Sequence, residues 1–145
     1  MKTYYSKSFE ETFNIASEFA KTLPKGAVVA FIGDLGAGKT MFTSGIVKGL
    51  GIDAEVSSPT FAICNEYSGN GKTLYHFDMY RIETWADLYS TAFFDYLDTG
   101  AYMCIEWSEN IFSALPNDAI IVEIEKLSEN ERNIMIYKRE EMHEC

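Results

Sequence analysis

The apolar positions of this chain fall into two rhythms that alternate along its length. Phe9, Phe13, Ala16, Ala20 and Leu23 recur at helical spacing, and Pro24 with Gly26 ends that pattern. Ser8 and Glu11 form a capping box ahead of it, so the spacing predicts a helix over 9–23, after a short strand over 3–6. "AVVAFI", 27–32, is apolar without alternation, as expected of a strand covered on both faces of a mainly parallel sheet. Phe42, Ile46 and Leu50 then mark one face of a helix from Lys39 to about Leu50, closed by the Gly49/Gly51 pair.

Pro59 interrupts the next segment, and residues 61–67 and 73–78 read as a hairpin turning at "SGNG". "WADLYSTAFFDYL", 85–97, reads as one helix, with a turn at Thr99-Gly100. "AYMCIEW", 101–107, is a second buried strand, this one ending in an acid, and two more strands follow at 119–126 and 132–138. No repeat, linker or low-complexity stretch interrupts the pattern, which predicts a single domain over 1–145. The fold class is α/β: a P-loop NTPase-like three-layer fold with a mixed sheet, combining parallel core strands with an antiparallel hairpin and C-terminal strands.

Composition narrows the picture in three ways. At 145 residues, 47% apolar and 14% aromatic, the chain can bury one core. No apolar stretch approaches a membrane span and the amino end lacks the apolar segment of a signal peptide, so the expected location is the cytoplasm, with no membrane partner. A formal net charge of -10 repels a polyanion, so contact with nucleic acid is expected only through a partner that supplies basic surface. Cys64 and Cys104 lie in strand-like runs without C-x-x-C spacing and read as reduced, small apolar side chains.

The chemistry concentrates at "GDLGAGKT", 33–40. Glycines at Gly33 and Gly38 let backbone N–H groups converge on a phosphate chain at a helix N-terminus, where peptide dipoles favour negative charge. Lys39 would reach the outer phosphates, and Thr40 would offer its hydroxyl to Mg²⁺. A chance match in a chain this long is roughly half a percent on ordinary residue frequencies. A metal-assisted reaction also needs a carboxylate at a neighbouring strand tip, and both Glu106 and Asp78 end apolar runs in that way. Glu106 is assigned to Mg²⁺, directly or through water, and Asp78 to the attacking water, with the reverse assignment open. Ser58-Pro59-Thr60 reads equally as a switch hydroxyl sensing the γ-phosphate or as a proline-led strand start. His76 shares a strand face with Asp78 but reads as a core histidine bonded to a backbone carbonyl, and no zinc spacing exists.

"GDLGAGKT", "SPTF", "NEY", "YHFDMYR" and "IEW", in this order and at these separations, resemble the TsaE (YjeE) family over about residues 6–137. The resemblance implies ATP binding and slow hydrolysis in complex with the TsaD and TsaB proteins. That complex transfers a threonylcarbamoyl group to adenosine 37 of ANN-decoding tRNAs, so tRNA is met only indirectly. By position, Gly33, Asp34, Leu35, Gly36, Ala37, Gly38, Lys39 and Thr40 correspond to the phosphate loop. Thr40 and Glu106 correspond to the Mg²⁺ ligands, Asp78 to the essential acid, Thr60 to the switch hydroxyl and Trp107 to the tryptophan after the metal acid. Thr12 and Arg132 are similar in position to family residues near the nucleotide. The segment 85–97 departs from the family pattern, with Ala92 where glycine is usual.

Rival classes use the same loop. A small-molecule or nucleotide kinase generally clamps phosphates with several lid arginines, whereas this chain has only Arg81, Arg132 and Arg139. A GTPase would carry N-K-x-D, which is absent, and a pure binding module would be indifferent to loss of Lys39.

Overall fold

The computed structural model describes residues 1–33, 36–59 and 64–144. The predicted switch residue Thr60 and the loop residues Asp34 and Leu35 lie outside that range, as does the predicted strand start at 61–63. The strands are β1 (Lys2–Ser6), β2 (Val28–Ile32), β3 (Cys64–Gly69), β4 (Lys72–Asp78), β5 (Tyr102–Glu106), β6 (Ile120–Lys126) and β7 (Arg132–Lys138). They form one seven-stranded sheet in the order β1-β7-β6-β2-β5-β4-β3. β6, β2, β5 and β4 run parallel at its centre, while β7, β1 and β3 add antiparallel edges.

β2 occupies the middle because its run of apolar residues has no polar face to give to water. Val29 and Phe31 join a core with Phe42, Ile46, Val122 and Ile134. Val28 and Ala30 join a second core with Phe77, Phe93, Met103, Ile105 and Ile121. Helices therefore cover both faces, which gives three layers.

On the first face lie α1 (Phe9–Ala20) and α2 (Lys39–Gly49). Ser8 caps α1, its side chain accepting from the Glu11 amide at 3.0 Å, and the helix stops at Ala20, three residues before the predicted end. The two helices meet through small residues. A Cβ at Gly45 would stand 2.5 Å from Ala16 Cβ and 2.6 Å from the Phe13 carbonyl oxygen, and one at Gly49 would stand 2.3 Å from the Ser17 carbonyl oxygen. Gly49 is thus a contact residue of the crossing, while the helix is closed by Leu50 and the left-handed Gly51 beyond it.

The second face carries α3 (Trp85–Ser90), α4 (Phe93–Asp98) and a 3-10 segment, Ser108–Ala114. The single helix predicted over 85–97 is corrected to two. Ala92 takes a left-handed conformation, φ 61°, and breaks the helical hydrogen-bond ladder between them. Alanine there hides the break from a reading of the sequence, because it is the best helix former. The hairpin closes more tightly than predicted: Gly69 pairs with Lys72, and Asn70-Gly71, both at positive φ, form the two-residue turn. Among the described residues, no helix is long and apolar enough to cross a membrane.

Candidate active site

The site forms where β2, β4 and β5 end side by side, at the carboxyl edge of the parallel strands. The loop after β2 leads straight into α2. A Cβ at Gly33 would stand 2.6 Å from the Ile124 carbonyl oxygen of β6, so packing against the next strand demands glycine there. Gly38, the N-cap of α2, has φ 110°, which a side chain would strain. The first turn of α2 consequently opens with amides aimed out of the helix, a geometry that accepts an anion.

Lys39, the first residue of α2, is 4% exposed. Its Nζ donates to the Gly33 carbonyl at 3.0 Å and lies 4.1 Å from the centroid of the Trp107 ring. Those partners, a carbonyl and an aromatic ring, hold the side chain between Gly33 and Trp107. Trp107 reaches it from a left-handed backbone position, φ 57°, immediately after β5. Tyr80 packs against the indole in a tilted arrangement, the ring centroids 5.0 Å apart.

Thr40 Oγ1 donates to Glu106 Oε2 at 3.0 Å, bringing the loop helix and the tip of β5 to one point. Glu106 is buried. Asp78, at the tip of β4, pairs with Glu106 in the strand register. The turn after Asp78 is fixed twice: its Oδ1 accepts from the Tyr80 amide at 2.9 Å, and the Met79 amide donates to the Glu106 carbonyl at 3.0 Å. Farther along, the Asn110 side-chain amide donates to the Met79 carbonyl at 2.8 Å, and Ser108 Oγ to the Phe31 carbonyl at 2.7 Å.

Arg132 and Thr12 stand behind the loop. Arg132 is buried, its Nε donating to the Ala37 carbonyl at 2.8 Å and its Nη2 to that of Gly36 at 3.4 Å. Its Nη1 donates to the carbonyls of Ser128, Glu129 and Glu131, so one guanidinium ties the glycine loop to the β6–β7 turn. Thr12 is also buried, and its hydroxyl is hydrogen-bonded to that of Ser6 at 2.7 Å, the residue opposite Arg132 in the β1–β7 register. Thr12 therefore bonds to the strand beside Arg132, and among the described residues its hydroxyl makes no hydrogen bond to the loop.

His76 is the residue that the sequence reading set apart from the site. It is fully buried, and its Nε2 is hydrogen-bonded to Glu106 Oε2, not to a backbone carbonyl as expected. The signal was its two-residue spacing from Asp78 on one strand, which puts both side chains on the same face. The oxygen donors of Thr40 and Glu106 are of the hard kind that suits Mg²⁺, an ion usually held by one or two carboxylates together with phosphates and water.

Parallel strands ending at a glycine loop, with a buried lysine at the start of the helix that follows and carboxylates at the adjoining tips, define a three-layer α/β protein with a mixed sheet. The family described as threonylcarbamoyl adenosine biosynthesis protein TsaE matches residues 6–134, and the chain belongs to it. Among its relatives is the tRNA threonylcarbamoyladenosine biosynthesis protein TsaE of Treponema pallidum, 34% identical over 139 residues, covering 90% of this chain and 96% of that protein. The protein of the same name from Haemophilus influenzae is 42% identical over 101 residues, 70% of this chain and 64% of its own length. The crystal structure of Bacillus subtilis YdiB superposes with a TM-score of 0.76 at 33% identity, covering 94% of this chain and 84% of that one. The predicted α/β fold with a mixed sheet is therefore borne out.

Proposed function

We propose that this chain is a slow ATPase that binds ATP with Mg²⁺ and serves the threonylcarbamoylation of tRNA adenosine 37 together with the TsaB and TsaD proteins. The observation that carries the reading is the 3.0 Å contact between Thr40 Oγ1 and Glu106 Oε2, which joins the loop helix to a strand-tip carboxylate. Thr40 and Glu106 would hold Mg²⁺ there, and the ion would supply positive charge against that developing on the phosphates.

The chain's own groups supply the rest. Amides of the first turn of α2 hold the phosphates, and the Lys39 ammonium exchanges the Gly33 carbonyl for a phosphate oxygen. Glu106 and Thr40 provide the metal ligands. Asp78 Oδ1 is held by the Tyr80 amide, so Oδ2 is the atom that orients water and takes its proton as the terminal phosphoanhydride bond breaks. The indole of Trp107 shields one side of the lysine from solvent.

The guanidiniums of Arg132 and Arg139 are both engaged within this chain, Arg132 on backbone carbonyls and Arg139 through Nη1 on Asn117 and Nη2 on the Phe112 carbonyl, while Arg81 is exposed. That supports hydrolysis over the kinase alternative. Expected localisation is the cytoplasm, where tRNA is modified. Titrating a non-hydrolysable ATP analogue into the wild type and Lys39→Ala, with and without Mg²⁺, tests the reading. Loss of one charge-assisted contact of about 2 kcal/mol weakens binding roughly thirtyfold. Equal affinity of the two proteins would overturn it.

A further inference from the structure

We infer that His76 is a positioning residue for the metal site: its imidazole Nε2, hydrogen-bonded to Glu106 Oε2, fixes the Glu106 carboxylate so that it faces Thr40 and the cation. The inference rests on the reading of Thr40 and Glu106 as Mg²⁺ ligands and goes beyond it by naming what holds one of them.

The geometry is specific. His76 lies on β4 beside Cys104 of β5 in the register, two residues before the strand tips where Asp78 pairs with Glu106. Its Nε2 and the Thr40 hydroxyl converge on the same oxygen, Glu106 Oε2. Both ligand and histidine are buried, at 5% and 0% exposure, so water does not substitute for either donor. A buried carboxylate without donors is costly, and its rotamer would be set by that cost, not by the metal's geometry.

Thr40 and His76 hold the same oxygen from two elements, α2 and β4, and His76 keeps its hold while Thr40 turns an oxygen lone pair to a cation. Partners of this kind, standing behind a metal ligand, typically govern affinity by 10–100-fold.

The tautomer follows from the other ring nitrogen. His76 Nδ1 is buried and has no hydrogen-bond partner among the described residues. An N–H at that atom would be an unsatisfied donor in the interior, whereas a bare lone pair is the lesser penalty. Hydrogen on Nε2 satisfies Glu106 and leaves no unsatisfied donor on the side facing away.

Two measurements test this. Imidazole ¹⁵N shifts of the ligand-free chain report the tautomer directly, and the expected result is hydrogen on Nε2 of His76 at neutral pH. Resonances that placed it on Nδ1 would overturn the inference, whatever the protein binds. The second readout is retention of Mn²⁺ in the presence of ADP, followed by electron paramagnetic resonance for wild type, His76→Leu and His76→Gln. His76→Leu should weaken Mn²⁺ retention about 10–100-fold, with ADP affinity in a chelator unchanged. His76→Gln, whose amide donates from nearly the place of Nε2, should recover it to within about threefold. Wild-type retention in a folded His76→Leu overturns the positioning role alone. If the wild type itself retains no Mn²⁺ beside ADP, the metal-dependent reading of Thr40 and Glu106 falls, and this inference with it.

Discussion

Gly45→Ala sets two opposing effects against one another at the crossing of α1 and α2. In a helix interior, alanine is favoured over glycine by about 0.8–1.0 kcal/mol, so propensity alone predicts a more stable protein. The new methyl, however, would stand 2.5 Å from Ala16 Cβ and 2.6 Å from the Phe13 carbonyl oxygen. One of those atoms belongs to the backbone of α1 and cannot rotate away, so the helices must separate. Overpacking of this kind costs about 1–3 kcal/mol, and the backbone contact argues for its upper half. The net expectation is a destabilisation of about 1–2 kcal/mol, read as a lower urea midpoint with an unchanged slope. Because α2 begins at Lys39 and Thr40, the same displacement should loosen Thr40 from Glu106 and weaken nucleotide binding. A Gly45→Ala protein stabilised by the full propensity increment would refute the reasoning, since it would show that the crossing has room for a methyl.

Ala92→Gly should stabilise the chain by about 0.5–1 kcal/mol, because removing a Cβ from a left-handed position saves about 1–2 kcal/mol and the extra freedom of the unfolded glycine offsets part of it. A lower Tm would contradict this. Ser108→Ala should cost about 1–2 kcal/mol in chemical denaturation by leaving the buried Phe31 carbonyl without its donor, and a neutral result would show another donor reaching it. Burial, with Glu66 adding to it, pushes the Cys64 thiol up to about 11. A raised thiol pKa withholds the thiolate below that value. Site-resolved alkylation of Cys64 should therefore be slow at pH 8 and rise about tenfold per pH unit up to pH 10, and a plateau near pH 9 would contradict the assignment. Cys104, buried and raised further still, should stay unmodified in the folded chain over that range.

The parts of this fold that were legible are those in which one local signal dominates. "AVVAFI" leaves no polar face, and a strand so written can lie only at the centre. The phosphate-loop spacing and the acids ending β4 and β5 were likewise visible, because strand tips follow directly from where apolar runs stop. What stayed hidden depends on pairs of distant residues. Gly45 and Gly49 become contact residues only once Ala16 and Ala20 of α1 face them. Resemblance alone places Arg132 near the nucleotide, and its hold on the loop, where five carbonyls take its donors, shows only once β7 brings it there. The spacing of His76 from Asp78 gives its strand face but not its partner Glu106, 30 residues away, which strand pairing brings beside it. The left-handed residues Ala92 and Trp107 sit where no glycine or asparagine marks a break.

The most direct test of the account is the rate of ATP hydrolysis by this chain, alone and with the proposed partners TsaB and TsaD, for the wild type and Glu106→Ala. The account predicts slow turnover by the chain alone and a marked rise when the partners are added. It also predicts a loss of about a hundredfold or more in the variant, as when one fixed charge-stabilising group is removed from an active site. Turnover by the chain alone at the rate of the full complex, or an unimpaired Glu106→Ala, would contradict it.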